Sequence, residues 1–136
     1  MSVRGSTQVD EIMVLRLWAA GLDAARLTEY DAFANSRSLA MFKALEGCLG
    51  VIFLRSDVRG YVLSFWRDMA SIEALEYSEL YRSTVRNILA VGFLEEPQTT
   101  ELVNLTGGFL SEEASVNLFH LLASDFERSG GGRRQC

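Results

Sequence analysis

The chain is predicted to fold as an α+β domain in the order β-α-β-β-α-β, and three features of the sequence point there. Two apolar runs, Gly47-Cys-Leu-Gly50-Val-Ile-Phe-Leu-Arg55 and Tyr61-Val-Leu-Ser-Phe-Trp66, flank the short turn Ser56-Asp-Val-Arg-Gly60 and read as a β-hairpin. Asp68 stands where it can cap the long helical pattern that follows. A strand and a helix precede the hairpin, and a further strand follows the second helix. That order makes an antiparallel four-stranded sheet with both helices on one face, the ferredoxin-like arrangement.

Residues 1–10 are small and polar and are expected to form a flexible arm. Residues 11–128 are expected to form one domain. Its first strand, over 11–20, places Met13, Leu15 and Leu17 on one side and Val14, Arg16 and Trp18 on the other. From Asp23 the positions Leu27, Tyr30, Phe33 and Ala34, then Met41, Phe42 and Leu45, recur at helical spacing. Asn35-Ser-Arg-Ser38 is expected to bend or split this helix, and Gly47 to end it in a left-handed conformation.

After the hairpin, Ile72, Leu75, Tyr81, Val85, Ile88 and Leu89 mark a second amphipathic helix, weakest at Tyr77-Ser78 and closed by Gly92 and Pro97. Thr99 to Leu105 reads as the fourth strand, ended by Gly107-Gly108. A C-terminal helix over 111–128 carries Val116, Phe119, Leu122 and Phe126 along one stripe, and residues 129–136 read as a flexible tail.

Composition excludes several classes of function. With 49% hydrophobic and 23% charged residues the chain is globular in character. No apolar stretch approaches the roughly 18 residues of a membrane span, and Met1-Ser-Val-Arg-Gly lacks the apolar core of a secretory signal, so a soluble cytoplasmic protein without a membrane partner is expected. A net charge of −5 disfavours nucleic acid, whose binding rests on clustered Lys and Arg. All 13 positive residues except Lys43 are arginines, which codon bias explains as simply as anion recognition does. Cys48 and Cys136 form no C-x-x-C pair, and with His120 as the single histidine no protein-built metal site is expected. His120 lies on the C-terminal helix and reads as a surface or interface residue.

The strands leave no consistently polar face. Ile52, Leu54, Val62, Leu63 and Trp66 put large apolar groups on both sides of the sheet, and one layer of helices covers only one of them. The second face is therefore expected to pack against its counterpart in a homodimer, burying roughly 800 Å² per partner, with the C-terminal helix clasping the other subunit. Arg16, on an apolar strand, needs a partner, either a carboxylate across the dimer or a ligand.

Several of these residues together resemble the antibiotic biosynthesis monooxygenase-like group of the dimeric α+β barrel superfamily. They are Arg16-Leu-Trp18, Tyr30, Gly47-Cys-Leu-Gly50-Val with Arg55, and Ser64-Phe-Trp66 leading into Asp68, and the likeness covers about residues 11 to 105. Haem-degrading relatives use an asparagine, a tryptophan and a histidine where this chain has Leu15, Leu75 and Val85, so haem degradation is disfavoured. Quinol-oxidising relatives pair a strand-end tryptophan with a helix arginine, the positions of Trp66 and Arg86 here. Their asparagine four residues before the tryptophan is replaced by Val62, which cannot hydrogen-bond a phenol or an oxyanion.

The resemblance implies a small homodimeric monooxygenase that needs no cofactor and acts on an aromatic or polyketide-like molecule in a cleft between sheet and helices. In that reading Trp66 stacks on the substrate and Arg86 supplies positive field, both as catalytic residues. Arg16, Tyr30, Tyr61, Tyr77 and Tyr81 are the candidate substrate-binding groups. The alternative is a dimeric ligand-binding or interaction protein that keeps the fold without catalysis.

Overall fold

The computed structural model describes residues 13–129, with side chains as far as residue 122. Strand β1 (Val14–Leu22) leads through a 3-10 turn at Ala24–Arg26 into helix α1 (Leu27–Phe33), which a π-helical segment at Ala34–Ser38 joins to α2 (Leu39–Ala44). Strands β2 (Cys48–Arg55) and β3 (Arg59–Trp66) form the hairpin. Helix α3 (Met69–Glu73), a 3-10 turn at Ala74–Tyr77, helix α4 (Glu79–Val91) and strand β4 (Leu94–Val103) follow. The sheet is antiparallel in the order β2-β3-β1-β4, as the predicted topology requires.

The local signals explain most boundaries. Gly47 takes φ of 85° and turns the chain from α2 into β2. The Asp68 carboxylate accepts from the Ser71 amide at 2.9 Å and caps α3. At the weak point Tyr77-Ser78 the helix is interrupted, and Ser78 Oγ restarts it by accepting from the Tyr81 amide at 3.1 Å. The expected bend at Asn35–Ser38 is the π-helical segment. Asn35 Nδ2 donates to the Asp31 carbonyl at 3.1 Å and Ser36 Oγ to that of Ala32 at 2.6 Å, which engages carbonyls of the preceding turn.

The fourth strand starts earlier than predicted, at Leu94 rather than Thr99, and ends at Val103 rather than Leu105. Gly92, with φ of 89°, closes α4 alone. Pro97 lies inside β4, where the register slips: Ala20 pairs with Gln98 but Gly21 with Glu95, leaving Glu96 and Pro97 as a bulge. A proline has no N–H to give a ladder, and a bulge is one place in a sheet where none is needed.

The helices lie on one face and pack in two clusters. Leu22, Tyr30, Phe33 and Phe93 form one, with Phe93 edge-on to Tyr30 at 5.7 Å. Met41, Phe42, Trp66 and Leu75 form the other. Arg55 bridges α1 and β2, its Nε and an Nη reaching the Asp31 carboxylate at 2.7 and 2.9 Å.

Alternation turns Leu15, Leu17 and Ala19 to the face away from the helices, and the ladder brings Tyr61, Leu63 and Phe65 of β3 and Ile52 and Leu54 of β2 alongside. This face is apolar across three strands and half-exposed through Leu17, Ile52, Tyr61, Leu63 and Phe65. At β4 it turns polar, with Thr99 and Glu101 exposed.

The chain divides into two compact units, Met1–Asn104 and Leu105–Cys136. In the second, Ser111 is the cap rather than the first residue of helix α5 (Glu112–Ser129), its Oγ accepting from the Ala114 amide at 3.0 Å. Val116, Phe119 and Leu122 on α5 are exposed. The expected flexible arm 1–10 and tail with Cys136, and the Phe126 side chain, lie outside what the structure describes. No described helix is long and apolar enough to cross a membrane.

Candidate functional site

The two clusters do not meet. Between them, under α4 and over β1, is an open-mouthed cavity of about 250 Å³. Its sheet wall is Arg16 and Trp18 of β1, Val62 of β3, and Leu94, Gln98 and Thr100 of β4. The helix wall is Ser38, Met41 and Phe42, with Tyr81, Thr84, Val85, Ile88 and Leu89 of α4. These α4 positions repeat at three, four and seven residues and form its inward stripe. The π-helical segment shifts the phase of α2 relative to α1, and Ser38, Met41 and Phe42 present to the cavity.

Arg16 and Tyr81 give the cavity its polar centre. Arg16 Nη2 donates to Tyr81 Oη at 3.1 Å, and the guanidinium carbon lies 5.7 Å from the tyrosine ring centre. Because the phenol oxygen accepts from arginine, its own hydrogen is left for another partner. Two neighbours hold the pair in place: Ser78 caps the turn that carries Tyr81, and Ser64, opposite Arg16 in the ladder, donates its hydroxyl to the Arg16 carbonyl at 3.3 Å. Thr84 donates its hydroxyl to the Leu80 carbonyl at 2.9 Å.

No carboxylate lines the cavity. Glu79 lies two residues before Tyr81, but the Arg86 guanidinium takes it at 2.8 Å and holds its carboxyl below the usual carboxylate range.

Neither Trp66 nor Arg86 lines this cavity. Trp66 has no exposed surface; it packs against Phe42 at 6.4 Å and its indole N–H donates to Ser64 Oγ at 2.8 Å. It stands one layer behind the cavity wall and supports Phe42. Arg86, five positions after Tyr81, falls on the solvent side of α4, where it pairs with Glu79.

Of the tyrosines, only Tyr81 reaches the cavity. Tyr30 is buried in the first cluster, its hydroxyl without a hydrogen-bond partner among the described residues, and burial pushes its pKa up to about 12. A Cβ on Gly60 would come within 2.6 Å of that hydroxyl, so glycine is needed there for tyrosine to fit. Tyr61 lies on the outer face of the sheet, and Tyr77 is 79% exposed. Burial raises the Cys48 thiol pKa, which makes it a poor nucleophile. Trp18, Ser38 and Thr84 are wall residues that do not stand out in the sequence as site residues. A signal for Trp18 was present, since it lies two positions from Arg16 on the same strand.

No protein-family model matches the sequence, and a search of curated proteins finds no match. The fold defines a class: a four-stranded α+β unit of the kind seen in antibiotic biosynthesis monooxygenase-like structures. Among particular structures, the chain is similar to the monooxygenase from the ActVA-Orf6 gene of Streptomyces coelicolor, solved with nanaomycin D. The TM-score is 0.61 at 12% identity, over 76% of this chain and 96% of that one. SnoaB, a cofactor-independent oxygenase from Streptomyces nogalater solved as a mutant, gives a TM-score of 0.59 at 14% identity, over 71% and 96%. NE2512, a protein of unknown function from Nitrosomonas europaea, gives 0.55 at 19% identity, over 74% and 95%. At these identities the likeness is one of fold.

Proposed function

We propose that the chain is a small monooxygenase that takes an aromatic or polyketide-like molecule into the cavity between the sheet and α4 and oxidises it without a bound cofactor. The Arg16–Tyr81 pair is the observation that carries this reading: a cation and a phenol joined at 3.1 Å in an otherwise largely apolar cavity. A dihydroxyaromatic bound there loses a proton to become an electron-rich anion, which the Arg16 guanidinium stabilises. The substrate is itself the reductant. Its proton passes to solvent at the cavity mouth, and one oxygen atom of dioxygen inserts into a ring C–H bond. The other leaves as water with the hydrogens of the hydroxyl groups, and the dihydroxy ring ends as a hydroxyquinone. The Tyr81 hydroxyl is placed to hydrogen-bond the developing charge.

The test is oxygen consumption with dihydroxyaromatic substrates and no added cofactor. Enzyme-dependent uptake is expected, with Tyr81→Phe lowering the rate about 10²-fold and Arg86→Ala leaving it unchanged. Absence of uptake across such substrates would reject the oxygenase. The packing of Trp66 and the solvent position of Arg86 favour the second reading, a non-catalytic ligand-binding protein using the same cavity.

The apolar outer face of β1, β2 and β3 supports a homodimer in either reading. Sedimentation of the purified protein is expected to show a dimer, and a monomer at micromolar concentration would contradict it.

A further inference from the structure

Resting on the second reading, the cavity as a ligand-binding site, we infer that its ligand is a monoanionic aromatic carboxylic acid that seats one or two rings in the cavity, with the carboxylate, in place of a phenolate, held by Arg16 and Tyr81. Among the described residues the half-buried Arg16 makes no ion pair, and its one side-chain hydrogen bond goes to the Tyr81 hydroxyl. A guanidinium drawn partly out of water and facing a cavity keeps N–H groups that a ligand anion can take. The carboxylate nearest along α4, Glu79, is committed to Arg86 at 2.8 Å.

The ligand is thus the partner for those N–H groups. A carboxylate accepts from the remaining Arg16 N–H groups and from the free Tyr81 O–H together, a geometry that charge assistance strengthens. No second cation lines the cavity, which fits one negative charge rather than the two of a phosphate. The cavity holds about 250 Å³ and opens to solvent at its mouth. Its volume falls below the roughly 300–1,000 Å³ of sites for drug-sized ligands, so one or two rings fill it.

Calorimetric titration with 2-naphthoate and with its neutral counterpart 2-naphthylmethanol tests this. The wild-type protein is expected to bind naphthoate at least about tenfold more tightly than the alcohol, as a single charge-assisted contact gives. Arg16→Gln is expected to abolish that preference, and Arg16→Lys to restore part of it. Equal affinities in the wild type would overturn the charge selection while leaving the cavity as a ligand site. Binding of neither probe would overturn both. A naphthoate preference that survives in a folded Arg16→Gln protein would also overturn the inference, and the wild-type comparison decides the matter if that variant fails to fold.

Discussion

Replacing Trp66 by alanine is expected to destabilise the protein by about 3–5 kcal/mol. The indole has no exposed surface, lies edge-on to Phe42 in the cluster with Met41 and Leu75, and donates its N–H to the Ser64 hydroxyl at 2.8 Å. Alanine removes this contact surface and leaves a hole that β3, fixed by ladders on both sides, cannot close. Against the 5–15 kcal/mol by which such domains are stable, roughly half of the total would go. Urea unfolding followed by far-UV circular dichroism checks it: the midpoint should fall steeply with the slope unchanged. Arg86→Ala, which breaks only an exposed ion pair, should leave the midpoint nearly where it was. Similar midpoints for the two variants would contradict the packing described for Trp66.

How far the sequence was readable follows from which physical signals are local. Gly47, Asp68, Ser78 and Gly92 act through backbone conformation or hydrogen bonds within a few residues, so their roles follow from position alone. The hairpin and both helices also announce themselves by period. The start of β4 did not, because Pro97 reads as a breaker until the bulge that accommodates it is seen. The site was half legible. Arg16 stood out as a charge on an apolar strand and Tyr81 lay on an inward stripe, yet nothing local says that residues 65 positions apart share a hydrogen bond. Trp66 and Arg86 stand out by resemblance alone. Trp66 turns out to be packed as core, and Arg86 is carried outward by the 100° per residue of α4.

Val85→Trp is expected to give a stable protein that has lost its ligand. In a filled core such an enlargement costs about 1–3 kcal/mol through strain. Val85 instead faces unfilled space, one turn beyond Tyr81 on the same stripe, and the cavity of about 250 Å³ has room for the indole. The Arg16–Tyr81 pair stays, but the apolar volume that orients an aromatic ring beside it is gone. Loss of that positioning should lower turnover by at least about 10²-fold and weaken binding at least as far. The most direct measurement is the affinity of wild-type and Val85→Trp proteins for 2-naphthoate, compared after both are shown to unfold cooperatively. Binding by the wild type and none by the variant is the expected result; the same affinity in both would place the ligand site somewhere other than the space between β1 and α4.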